Sequence, residues 1–135
     1  MKDPQTTYSP SVEAIQAAAE RLKGIASISP LEKHIRFSEK YQCNMLFKRE
    51  DLQQVRSYKI RGAYNKISSL SSDKTKNGII CASAGNHAQG VALSCNLLKI
   101  KGTIYMPAPT PNQKVEQVKM FGKAYVEVVL VGDTF

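Results

Sequence analysis

No apolar run in this 135-residue chain approaches the roughly 18 residues a membrane span requires, so an integral membrane protein is excluded. The opening stretch, Met1-Lys2-Asp3-Pro4-Gln5-Thr6-Thr7, has no apolar segment behind a basic one, and no secretory signal is visible. Cysteine is scarce and odd in number. Cys43, Cys81 and Cys95 have no C-x-x-C spacing and read as reduced thiols of a cytoplasmic protein, not as a disulfide frame or zinc site. His34 and His87 have no partners at metal-ligand spacing, so no metal is expected. Long runs of one charge are also missing. Nineteen Lys and Arg against eleven Asp and Glu leave +8, but Lys48-Arg49-Glu50-Asp51 is mixed and Lys99-Ile100-Lys101 is short. A solvated surface explains such charges. The few aromatics fall mainly on predicted buried faces, which argues against nucleic-acid binding and against a non-catalytic basic binding fragment. No G-x-G-x-x-G occurs. Gly85 and Gly90 have the P-loop spacing, but Val91 and Ala92 stand where Lys and Ser or Thr are required.

What is present suits a globular chain. Hydrophobic residues make up 42% and charged residues 22%, which argues against disorder. The length suffices for about one domain. Ser9 can cap a first helix with Pro10 at its first position, Val12, Ile15, Ala19 and Leu22 on one face, and Gly24 as its stop. Ser29-Pro30-Leu31 is extended before its proline. A strand is predicted at 44–48 and a helix at about 58–70, where Ile60, Ala63, Tyr64, Ile67 and Leu70 recur at helical spacing. The polar stretch 71–78 reads as a linker. Beyond it come a short strand Ile79-Ile80-Cys81-Ala82, a turn, a helix from His87 to Leu98, a strand Gly102 to Met106, a helix over 112–121 and a strand from Tyr125 to Val131. This alternation predicts an α/β fold, a parallel sheet with covering helices. Buried parallel sheets need cover on both faces. Nothing after Gly132-Asp133-Thr134-Phe135 supplies it, so the chain is expected to be cut short within a larger fold, with the apolar faces of the 9–24 and 58–70 helices exposed.

Two loci carry chemistry. Ser83-Ala84-Gly85-Asn86-His87 joins the carboxyl end of a strand to a helix N-terminus, where free N–H groups and the helix dipole hold phosphates or carboxylates. A plain capped strand-to-helix turn would look the same. Ser57-Tyr58-Lys59-Ile60-Arg61-Gly62-Ala63 opens the 58–70 helix. The helix dipole disfavours a cation in the first turn. Lys59 could therefore supply a free amine for a Schiff base, although an ordinary exposed lysine would also fit.

These two segments, with Ser83-Ala84-Gly85-Asn86 continuing as His87-Ala88-Gln89-Gly90, closely resemble the paired motifs of threonine dehydratases. Those enzymes share the tryptophan-synthase-like fold (fold type II) of pyridoxal phosphate enzymes with serine dehydratases and serine racemases. Leu46-Phe47-Lys48-Arg49-Glu50-Asp51-Leu52-Gln53, Lys114-Val115-Glu116, Met120-Phe121-Gly122 and Val131 to Phe135 are similar to the family as well, so the resemblance runs from about residue 10 to the end.

The resemblance implies residue roles. Lys59 would hold pyridoxal 5'-phosphate as a Schiff base and then act as the base at the substrate's α-carbon. Tyr58 matches the aromatic position against the pyridine ring, and Asn86 would hydrogen-bond the ring's 3-hydroxyl oxygen. Ser83, Gly85, Asn86 and His87 would grip the substrate carboxylate, largely through backbone N–H groups. The implied reaction converts L-threonine, or L-serine, to a 2-oxo acid and ammonia. For threonine the product is 2-oxobutanoate, the entry to isoleucine synthesis. Residues 1–70 would be the N-terminal part of the family's large domain and 71–135 most of its small domain, within a homo-oligomer. Ser29-Pro30-Leu31 stands where Thr-Pro-Leu is usual. Ala84 stands where serine racemases carry a second serine, which favours a dehydratase over a racemase. The family's glycine-rich phosphate loop does not occur in these residues, so little activity is expected of them alone.

Overall fold

The computed structural model describes residues 9–134, so the Met1–Thr7 stretch and Phe135 lie outside it. The first helix, α1 (Val12–Arg21), is capped by Ser11, whose hydroxyl accepts from the Ala14 N–H at 3.2 Å. Ser9, the predicted cap, lies two residues too early, because Ser11 is the last extended residue (ψ 161°) before the helix. Gly24 takes a positive φ just beyond the helix end. The apolar face of α1 is open as expected, with Val12 63% and Ile15 56% exposed.

Strands β1 (Leu31–Lys33) and β2 (Leu46–Lys48) pair antiparallel, with Leu31 opposite Lys48. Between them lies a helix absent from the sequence-based expectation, α2 (Ile35–Tyr41). It has only seven residues and an unusual cap, His34, whose Nδ1 accepts from the Phe37 N–H at 3.2 Å. The ring of His34 stacks on Phe37 at 4.4 Å and lies 4.7 Å from Phe47 of β2, so tertiary stacking supports this short helix.

The helix α3 (Lys59–Ser68) leads into the polar stretch, which holds a single helical turn, α4 (Ser72–Thr75). Gly78 follows with φ +88°. A Cβ there would lie 2.8 Å from the Lys101 carbonyl oxygen, so the sharp entry into the sheet needs glycine.

The sheet is parallel, in the order β3 (Ile79–Ala82), β4 (Gly102–Met106), β5 (Val126–Leu130). Helices α5 (Asn86–Leu98) and α6 (Asn112–Gly122) cross over between successive strands. Right-handed crossovers in this strand order put both helices on one face, and α5 and α6 pack on each other. Cys81, Ile104 and Met106 point into that core with Ala88, Val91, Ala92, Cys95, Val115 and Val118. On the other face Ile80 is 75% and Tyr105 38% exposed, and no described element covers them.

Every residue of α5 from Ala88 to Cys95 is buried, not only the predicted stripe. A helix enclosed all round is wedged between layers. One side of α5 faces the sheet and α6; the other receives α3. Ile60, Ala63 and Ile67 of α3 are at most 5% exposed. The expectation that α3 would show its apolar face is therefore corrected: α5 covers it.

Candidate functional site

Lys59 is the first residue of α3 and is half-buried. No side chain caps this helix, since Tyr58 occupies the cap position. The Tyr58 ring is 60% exposed, and the Lys59 Nζ lies 5.1 Å from its centroid, within cation–π range. The lysine thus stands at an open helix end beside an aromatic face. Two residues earlier, Ser57 is 7% exposed and its hydroxyl has no partner, alone among the buried side-chain polar atoms described. A buried, unpaired hydroxyl costs about 1–3 kcal/mol.

An ionic clamp braces this turn from behind. Arg61 donates from Nε and a terminal nitrogen to the two carboxylate oxygens of Glu50, both at 2.8 Å. Ser29 donates its hydroxyl to the same carboxylate. The Arg61 bonds, helped by Ser29 and Gln53, hold the Glu50 carboxyl down at about 2 despite partial burial. Gln53 is 2% exposed and closes the bracket, accepting from the Ser27 N–H at 2.9 Å and donating to its carbonyl at 2.8 Å. Three segments distant in sequence, 27–29, 50–53 and the start of α3, are thereby tied together. Both Glu50 and Arg61 stand in plain view in the sequence, but nothing in their spacing signals that they pair.

The second locus lies at the carboxyl end of β3. The Ser83 N–H donates to the Tyr105 carbonyl at 3.1 Å, holding the turn on β4. The Ser83 hydroxyl accepts a long 3.4 Å bond from the Gly85 N–H. Gly85 is the cap residue of α5 and offers no side chain, so no side-chain cap bond closes the first turn. Helix N–H groups left in this way attract anions. Asn86 and His87 are exposed here, and His87 lines a shallow cavity of about 180 Å³ with Gly62, Lys66 and Ile80. His87 lies in the first turn of α5, which begins one residue before the predicted start.

The two loci meet where α3 crosses α5. A Cβ on Gly90 would lie 3.1 Å from the Lys59 carbonyl carbon and oxygen and 3.3 Å from the Ile60 nitrogen. Gly90 follows Asn86 by four residues, so both sit on one side of α5, about 6 Å apart along its axis. The Lys59 peptide therefore lies against α5 about one helical turn from its Asn86 end. Among the described residues no group of three His, Cys, Asp or Glu side chains could hold a metal ion, and no helix is long and apolar enough to cross a membrane.

Residues 23–135 match the family described as pyridoxal-phosphate dependent enzyme. The chain belongs to this family. It is 57% identical over 124 residues to the biosynthetic L-threonine dehydratase of Halalkalibacterium halodurans, covering 92% of this chain and 30% of that protein. It is 55% identical to the corresponding enzyme of Bacillus subtilis, covering 92% and 29%. Among solved structures it is similar to the processed form of threonine deaminase isoform 2 from Solanum lycopersicum (TM-score 0.79, 42% identity, 96% of this chain and 36% of that one). It is also similar to maize serine racemase (TM-score 0.86, 29% identity, 95% and 38%). The chain spans about 30% of the length of the curated relatives it matches. The parallel α/β fold agrees with these neighbours.

The residues present fit the family's cofactor. An amine at an open helix end, an aromatic ring beside it, an uncapped helix N-terminus and an orphaned buried hydroxyl are together a donor set suited to an aromatic aldehyde bearing anionic groups. Ser57, Glu50, Arg61 and Gly90 were not expected as site residues. For Ser57 the available signal was its place in the Lys59 motif, but orphaned burial is visible only in three dimensions.

Proposed function

We propose that residues 1–135 are the N-terminal part of a cytoplasmic, homo-oligomeric L-threonine dehydratase that uses pyridoxal 5'-phosphate and is about three times as long. L-serine would be a second substrate, and the product from threonine, 2-oxobutanoate, would feed isoleucine synthesis. What chiefly supports this reading is the close approach of the Lys59 peptide to Gly90, one helical turn from the uncapped Ser83–His87 end of α5. The high identity to biosynthetic L-threonine dehydratases supports the substrate. Residues 1–70 would belong to the large domain and 71–135 to the small one, with α3 lying along the boundary.

When bound, the cofactor supplies an electron sink for negative charge at the substrate's α-carbon. The Nζ of Lys59 is the amine that would hold the cofactor, and it would also take the proton from that α-carbon. Tyr58 would pack beside the cofactor's ring, and Asn86 would offer its amide to the ring hydroxyl. The Ser83 N–H is already given to the Tyr105 carbonyl, so Ser83 would act through its hydroxyl, while the N–H groups of Gly85, Asn86 and His87 would hold the substrate carboxylate and so orient the α-proton toward Lys59. Ala84 bears only a methyl group, which can neither give nor take a proton. It packs against the main core, and its chemistry favours elimination over racemisation.

The test is borohydride reduction of the cofactor-loaded full-length protein, followed by peptide mapping. The label is expected on Lys59, and Lys59→Ala should abolish both the lysine-bound absorbance and threonine deamination. A label on another lysine overturns the assignment.

A further inference from the structure

Gly90 has no part in the roles described so far, yet its bare Cα lies directly against the Lys59 peptide. A Cβ at this position would touch the Lys59 carbonyl at 3.1 Å, tighter than ordinary van der Waals packing, and the neighbour it meets is backbone, which cannot rotate away. One of the two helices would have to move. Helix α5 is pinned on its far side. Ala88, Ala92 and Cys95 are wholly buried against the sheet side, and Gln89 donates to the Gln117 side chain on α6 at 2.9 Å. The Ser94 hydroxyl, wholly buried, donates to the Gly90 carbonyl at 2.7 Å and holds that turn in place. The start of α3 is held at Arg61 by the Glu50 clamp, but its first residues have less cover than α5: the helix begins without a side-chain cap, and Tyr58 is largely exposed.

We propose that Gly90 is a positioning residue: by having no side chain it sets the distance between Lys59 on α3 and the Asn86 turn of α5. This rests on the reading of Lys59 as the cofactor-bearing lysine. Alanine at Gly90 would displace the Lys59 peptide by a few tenths of an ångström while the Asn86 turn stays with the core. Misplacing reacting groups by about 1 Å can cost roughly a hundredfold in rate, so a shift of this size should cost about tenfold. Alanine is also the better helix former, which offsets part of the crowding and lets the protein fold.

The experiment compares the unmodified full-length protein, Gly90→Ala and Val118→Ala. Val118 is 1% exposed on α6 and belongs to the core alone. Five quantities are measured: thermal midpoint, cofactor dissociation constant, the visible band of the lysine-bound cofactor and its pH titration, the yield of borohydride label on Lys59, and kcat and KM for threonine. Gly90→Ala is expected to fold, to shift the pH titration of the band, to weaken cofactor binding several-fold and to lower kcat about tenfold, with KM changed less than threefold. Val118→Ala should lower the thermal midpoint at least as much and leave the band unchanged. If Gly90→Ala keeps the unmodified protein's band, titration, cofactor affinity and kcat, the proposal is wrong while the function stands. If it does not fold, or if Val118→Ala moves the band equally, Gly90 is a packing residue only and the proposal is again overturned. If the unmodified protein is not labelled at Lys59, the reading of the lysine fails first and is recognised separately.

Discussion

Replacing Glu50 by Gln tests whether the clamp behind Lys59 contributes stability as an ion pair. Its carboxylate receives two charge-assisted bonds from Arg61 at 2.8 Å, and the Glu50 side chain is 17% exposed. Holding a carboxyl at about 2, against the ordinary 4.5, corresponds to roughly 3 kcal/mol at about 1.4 kcal/mol per tenfold change in proton affinity. The Arg61 side chain is 36% exposed, so solvent screening reduces this to about 2 kcal/mol. The sign follows from the lowered value. The folded state binds the proton more weakly than the unfolded state, so the stabilisation is complete above about 4.5 and is lost as pH falls toward about 2. Urea unfolding of the 135-residue chain, followed by circular dichroism at several pH values, measures it. At pH 7, Glu50→Gln should lower the midpoint by about 1 M, taking an m-value of about 2 kcal/mol per molar. The gap between the two proteins should narrow steadily below pH 4.5. A difference under about 0.5 kcal/mol at pH 7, or one independent of pH, would refute the electrostatic account of the clamp.

Three further outcomes are expected. In the folded chain at pH 8 a thiol reagent should modify Cys43, which is exposed, and spare Cys81 and Cys95, which are buried; burial pushes the Cys95 thiol up to about 11. Rapid labelling of all three under native conditions would contradict the packing of α5. The full-length protein should eliminate water from L-serine without appreciable racemisation, and Ala84→Ser should introduce slow racemisation; chiral chromatography of recovered serine decides this, and equal rates of racemisation and deamination by the unmodified protein would refute the reading of Ala84. Residues 1–135 alone, given excess cofactor, should form 2-oxobutanoate no faster than their Lys59→Ala counterpart; clear activity above that control would show that these residues suffice.

Much of the fold was legible because it is written in local patterns. The strand at Ile79–Ala82, the helix ending at Leu98 and the strand Gly102–Met106 follow from short apolar runs separated by glycine and proline. The start of α3 at Lys59 follows from the spacing of Ile60, Ala63 and Ile67. Helix α2 was hidden because it is only seven residues long and is supported by the packing of His34 and Phe37 on Phe47 of β2, contacts that a short sequence window does not contain. The first helix cap was misplaced by two residues because Ser9 and Ser11 are equal in propensity, and only the backbone distinguishes them.

The sequence alone determined which chemical groups are available: an amine at Lys59, an aromatic ring at Tyr58, and a glycine-containing turn rich in donors from Ser83 to His87. It also determined the alternation that makes a parallel α/β fold, since the periods of strand and helix are properties of neighbouring residues. The tertiary structure decided how those groups meet. It pairs Glu50 with Arg61 behind the lysine, leaves the Ser57 hydroxyl buried and unpaired, and brings Gly90 against the Lys59 peptide. None of these follows from a local pattern; the approach of Gly90 to Lys59 in particular is fixed by how α3 and α5 cross, and a crossing depends on the packing of two surfaces at once.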